Sequence, residues 1–172
     1  MKPAVPSEPI AYLTGEYPRA TDTFIQREIT ALREQGIKVE TCSIRKTGAE
    51  HHVGPEQQAE FKNTFYVIAA AKSPIRLVRC HLEALVQAPG RYFSALRLAL
   101  ATRPAGLKGL LYQLFYFAEA AVLADHLKQQ KVRHLHNHIA TATCTVAMLT
   151  SKLSGIPFSF TIHGPDIFFE PK

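Results

Sequence analysis

Three imidazoles stand at alternate positions of one short run, His134, His136 and His138, with Leu135 and Asn137 between them. In an extended strand, residues at i, i+2 and i+4 share a side, so all three rings would face one way. Zinc is the first chemistry such a set suggests. Ligands stacked along one face of a single strand rarely converge on a tetrahedral centre, and no cysteine or carboxylate at ligand spacing joins them. No metal is therefore expected, and His136 and His138, nearest the carboxyl end of the strand, are assigned a structural or substrate-contacting role. A second constellation, His163-Gly164-Pro165-Asp166, follows the stretch Phe158-Ser159-Phe160-Thr161-Ile162. An imidazole and a carboxylate emerging around a glycine could share acid/base work; the plainer alternative is that His163 bonds its own loop and Asp166 caps the turn that follows.

Several other chemistries lack their residues. A dinucleotide site needs G-x-G-x-x-G after the first strand, and only Gly15 is present there. The G-x-x-x-x-G-K-[ST] phosphate loop and the G-x-S-x-G nucleophile turn do not occur in the chain. Dehydrogenase, P-loop and α/β-hydrolase readings thus lose their main support.

The elements that must position these residues alternate. Ile10 to Thr14 reads as a strand buried on both faces, followed by a loop through Gly15. Thr23 with Gln26 forms a capping-box pattern, Ile25, Ile29 and Leu32 make a helical stripe, and Gly36 ends it. Ile37 to Ile44 returns as a strand, so the opening unit is βαβ with a right-handed crossover. Lys46 to Asn63 is polar and reads as a surface loop before a short strand at Thr64 to Ile68. Helices are expected from Ile75 to about Pro89, with Ile75, Val78, Leu82 and Leu85 on one face, and from Tyr92 to Thr102. Leu107 to Leu127 is apolar almost all round but interrupted by Lys108, Gln113, Glu119 and Asp125, which suits a buried helix on the sheet better than a membrane span. Val132 to His138, a helix from about Ala140 to Ser154 stopped by Gly155, and Phe158 to His163 complete the pattern. The implied fold is an α/β, Rossmann-like three-layer sandwich with a mainly parallel sheet. Ligands of such sheets bind beyond the carboxyl ends of the strands, which gathers the loops after Thr14, His138 and His163.

With 172 residues, 47% hydrophobic and 20% charged, the composition is that of a soluble globular domain. Cys42, Cys80 and Cys144 are odd in number and lie in apolar surroundings, as reduced thiols would, and the prolines before Pro9 leave no apolar stretch for a signal peptide. The expected location is cytoplasmic. The formal charge is +6, and Lys72, Arg76, Arg79, Arg91, Arg97, Arg103 and Lys108 stand in a stretch whose only acid is Glu83. That stretch could face an anionic membrane or phosphorylated substrate, or be a solvated helical face; nucleic acid ranks last because no base-stacking platform accompanies it.

Three segments together resemble one family. Tyr17-Pro18-Arg19-Ala20-Thr21-Asp22-Thr23-Phe24-Ile25 with Arg27-Glu28-Ile29 resembles the opening of bacterial family 4 glycosyltransferases of exopolysaccharide and colanic-acid type. His134-Leu135-His136-Asn137-His138 followed by Ala140 is similar to their H-x-H-x-H-x-A strand end. Gly155 to Phe168 is similar to their G-x-PFSFT-x-H-x-x-DIF stretch.

The resemblance implies the N-terminal, acceptor-side half of a GT-B fold, whose C-terminal half would hold the nucleotide sugar outside these residues. It implies transfer of a sugar from a UDP- or GDP-sugar to a glycan or lipid-linked acceptor with retained configuration and no obligatory metal or other cofactor, and it gives the basic stretch Lys72 to Lys108 an expected role, holding the parent enzyme peripherally on the inner face of the cell membrane. By the same resemblance His163 is the cleft histidine that contacts the transferred sugar. Gly15, Thr21, Asp22, Thr23, His136, His138, Gly164 and Asp166 are expected around it. This chain alone is expected to be inactive. A GT-B-type sugar-nucleotide epimerase, and a non-catalytic acceptor-binding subunit of a split enzyme, are the alternatives.

Overall fold

The computed structural model describes residues 8–139 and 141–162. Its strands are β1 (Ile10–Glu16), β2 (Val39–Arg45), β3 (Phe65–Tyr66), β4 (His134–His138) and β5 (Phe158–Thr161). They form one sheet in the order β3-β2-β1-β4-β5, every described pair parallel. The helices are α1 (Thr23–Glu34), α2 (Pro55–Asn63), α3 (Val67–Ala71), α4 (Pro74–Gln87), α5 (Pro89–Ala101), α6 (Gly106–Gln129) and α7 (Ala142–Ser154). The architecture is the expected Rossmann-like three-layer α/β fold.

Alternation in β1 divides the layers. Ala11 and Leu13 enter a large core with Leu123, Leu127, Leu135, Leu149 and Leu153, contributed chiefly by α6, β4 and α7. Tyr12 turns to the other face and packs with Tyr17, Ile25 and Ile29 under α1. Helices α4 and α5 pack outside α6 and α7, while α2 lies beside α1 through a 2.5 Å Arg33–Glu60 ion pair and the Tyr17 hydroxyl on Glu60. Gly155 ends α7 in the left-handed region at φ 78°, a conformation that favours glycine.

Several boundaries differ from the sequence reading, each for an identifiable reason. Residues 46–63 are not simply loop: a 3₁₀ turn at Ala49–His51 precedes α2, whose polar sequence carries no apolar stripe and whose anchoring is by hydrogen bonds to α1. Those bonds also remove the expected capping box, because the Gln26 amide is engaged with Glu56 and Gln57 rather than folding back on the start of α1. β1 runs on through Gly15 to Glu16. β3 holds only two residues before the chain turns helical at Val67.

Most of the apolar stripe that the sequence places on one face of α4 is on the outside. Ile75 is 84% exposed and Val78 and Leu82 are exposed too, while Cys80 on the opposite side is buried. In α6 enclosure is concentrated in the second half, from Phe117 to Leu127; of the first half Gly109 and Gln113 are buried, while Leu107, Leu111, Tyr112, Leu114 and Phe115 are exposed. By length and composition α6 could cross a bilayer, with a mean hydropathy of 1.2 over its best 18-residue window, but half of that window is buried in the protein. All three cysteines are free.

Candidate functional site

In the sheet order β3-β2-β1-β4-β5 the direction of winding reverses between β1 and β4, the position at which parallel α/β sheets open a crevice at their carboxyl edge. A crevice of about 330 Å³ lies there. Thr14, Gly15 and Glu16 at the end of β1 line it, with Arg19 and Asp22 from the connection to α1, Ile44 and Arg45 from β2, Phe115, Tyr116 and Glu119 from α6, and the first residues of α7.

The turn from β4 into α7 is tightly specified. Ile139 has φ 72°, an uncommon backbone state for a β-branched residue. Its carbonyl accepts from the Asn137 side-chain amide (3.0 Å), the Thr143 hydroxyl (3.1 Å) and the Thr141 N–H (3.0 Å), and its own N–H donates to Thr161 O on β5. Strain held by several bonds at the rim of a crevice is characteristic of functional positions. Across the opening the Tyr17–Pro18 bond is cis, and Arg19 Nε stands 3.6 Å from Asp22.

The floor carries a group that the sequence showed only as an interruption of an apolar run. Glu119 is 1% exposed, and neither carboxyl oxygen has a hydrogen-bond partner among the described residues. Burial pushes its pKa up to about 7, against a partial opposing pull from the Arg45 guanidinium. A buried carboxyl of this kind can accept from or donate to a ligand hydroxyl near neutral pH. Arg45 and Tyr116 complete a polar floor beside the Phe115 ring, and no local motif distinguished any of these residues because β2 and α6 are far apart in sequence.

Of the expected site residues, the structure brings Gly15 and Asp22 into this crevice. Thr21 is exposed and bonds Asp22 (3.0 Å), while Thr23 lines a separate groove with Gln26, Arg27 and Glu56. His136 and His138 do not line it. Their side chains turn to the α1 side of the sheet, where both rings pack on Tyr12 and His138 stands 3.4 Å from Glu28. The same alternation that puts all three histidines on one side buries Leu135 and Asn137 on the other. His163, Gly164 and Asp166 lie outside the described residues, as does Ala140.

The chain matches no protein-family model, no curated protein and no solved structure.

Proposed function

We infer that this chain is the acceptor-side domain of a retaining GT-B glycosyltransferase that moves a sugar from a UDP- or GDP-sugar to a glycan or lipid-linked acceptor. One observation carries the reading: Arg19 and Asp22, from the first segment that resembles family 4 enzymes, line one crevice with Gly15 just before that segment and with Ile139, Thr141 and Thr143, which follow the second segment in the chain. Its lining suits a sugar, with aromatic surface at Phe115 and Tyr116 for the apolar ring face and carboxyl, hydroxyl and guanidinium groups for the hydroxyls. Glycosyl transfer develops positive charge on the sugar ring and negative charge on the departing diphosphate, and fixed dipoles and hydrogen bonds aimed at those charges accelerate it. In this reading the donor is held by a second domain, and His163, next in sequence after the described residues, is assigned contact with the transferred sugar by the resemblance.

The exposed apolar residues of α4 and of the first half of α6 support a companion reading, contact with an anionic membrane carrying the acceptor lipid. Lys72, Arg97, Arg103 and Lys108 are exposed and supply the charge. Arg79 is committed to Asp125 (3.1 Å) and Glu83, Arg91 to the Ser154 carbonyl, and Arg76 to the Phe65 ring.

The test is titration of the ¹⁵N-labelled chain with short oligosaccharides, with UDP and GDP, and with unrelated carboxylates. Oligosaccharides are expected to shift the amides of Gly15, Glu16, Thr141 and Thr143 saturably. If those amides stay still with every glycan and move only with another class, the reading fails. Transfer itself is then assayed with labelled UDP- and GDP-sugars and lipid extracts, using the complete enzyme: label in a glycolipid supports transfer, and an epimerised sugar nucleotide without incorporation supports the epimerase.

A further inference from the structure

On the α1 side of the sheet, away from the crevice lining, Glu28, His136 and His138 bring one carboxylate oxygen and two ring nitrogens within 4.8 Å of one another. We propose that these three residues bind a divalent transition-metal ion, zinc by preference, which ties α1 to β4. The proposal is independent of the transferase reading.

The objection to zinc that arises from sequence is that one strand cannot surround an ion and that no carboxylate lies at ligand spacing. Folding removes it, because the carboxylate comes from α1, whose Glu28 side chain reaches His138 on β4. Two imidazoles and one carboxylate are a recognised zinc donor set, and three protein ligands leave one tetrahedral position for water. With metal–ligand bonds of about 2.0–2.1 Å, tetrahedral ligand atoms stand roughly 3.3 Å apart. Glu28 Oε2 and His138 Nε2 are already 3.4 Å apart. The widest separation in the set, at most 4.8 Å, needs to shorten by about 1.5 Å to reach that spacing. Calcium and magnesium prefer all-oxygen shells, so the imidazoles select against them.

The surrounding bonds are those that orient ligands at metal centres. Tyr12 donates to Glu28 Oε1 over 2.5 Å and leaves Oε2 turned to His138. Ser159 Oγ lies 2.8 Å from His136 Nδ1 and 2.7 Å from His134 Nε2, and Thr161 Oγ1 lies 3.2 Å from His136 Nε2, so an ion at either nitrogen of His136 takes the place of one hydroxyl while the other orients the ring. His138 is 2% exposed, held against the Tyr12 ring and the edge of Phe24. The Glu28 side chain is 45% exposed, so an ion can enter from solvent on that side.

The experiment uses the chelator-stripped 172-residue chain, titrated with zinc chloride against a chromophoric chelator, and with cobalt(II), whose visible bands report coordination. One equivalent should bind, and long-range ¹H–¹⁵N spectra should show ring nitrogens of His136 and His138 moving on zinc addition. Glu28→Gln and His136→Asn should each weaken zinc at least about tenfold, while His81→Asn and His52→Asn, both away from the cluster, stay within about twofold. A zinc-dependent rise in melting temperature should disappear with the first pair and persist with the second. Absence of saturable binding, binding indifferent to Glu28→Gln and His136→Asn, or ring nitrogens that do not respond would each overturn the proposal and leave a hydrogen-bonded network only. Should either variant fail to fold, the wild-type ring-nitrogen spectra decide alone.

Discussion

The Tyr12 hydroxyl donates to Glu28 across 2.5 Å and thereby joins the first strand to the first helix on the face of the sheet that carries the histidines. Burial raises the Tyr12 pKa, and the Glu28 carboxylate raises it further, so the phenol stays protonated and the donor is permanent. Tyr12→Phe keeps the ring contacts with His136 and His138 and removes only that bond. Because Glu28 is partly exposed, the expected loss is about 1 kcal/mol, read from the urea midpoint at unchanged m-value.

Glu119 makes stability depend on pH in an unusual direction. Its folded pKa, about 7, lies above the unfolded value of 4.5, so the native state holds the proton more tightly. Stability is unaffected by this group below about pH 4.5, falls as pH rises towards 7, and above 7 carries a constant deficit of up to about 3 kcal/mol. Glu119→Gln should flatten that slope in urea titrations between pH 5 and 8, roughly. A slope unchanged by the substitution would place the carboxyl's titration elsewhere.

Gly155 should not tolerate a side chain. Its φ is 78°, and an added Cβ would come within 2.3 Å of Arg91 Nη1, which itself donates to the Ser154 carbonyl at 3.0 Å. Gly155→Ala is expected to cost about 1–2 kcal/mol in chemical denaturation from the left-handed backbone alone, with Arg91 displaced.

The two sides of the helical layer should respond differently to truncation. Leu123 is fully enclosed, so Leu123→Ala is expected to cost about 2–5 kcal/mol. Ile75 occupies an outward position on α4, and Ile75→Ala should change stability by no more than about 0.5 kcal/mol in the same assay.

The proposed membrane contact is testable through its charges. Replacing Lys72, Arg97, Arg103 and Lys108 together by Glu should lower partitioning onto anionic vesicles by at least about a hundredfold, at roughly 1 kcal/mol per basic residue. Partitioning that survives the fourfold reversal would remove charge as the basis of the interaction.

Much of the fold was legible locally. The short apolar runs, Gly155 after the α7 stripe and the alternation of strand and helix sufficed for a parallel α/β sandwich, since period and stop signals are properties of neighbouring residues. Helix α2 was not legible, because hydrogen bonds from Gln26 and Tyr17 hold it rather than an apolar stripe. The α4 stripe was legible as a stripe but not in its direction: Ile75 and Val78 recur at helical spacing whether or not anything covers them.

For the site, the sequence by itself determined that His134, His136 and His138 share one side of a strand, and that Gly15 sits at a strand end, because both follow from backbone periodicity. Only the tertiary structure decided that His136 and His138 turn to Glu28 under α1 rather than into the crevice, and that Glu119 lies buried on the crevice floor. A strand's pleat specifies which residues point together; which helix crosses that face, and which distant carboxylate it brings, depends on packing between segments whose separation in the chain carries no local signal.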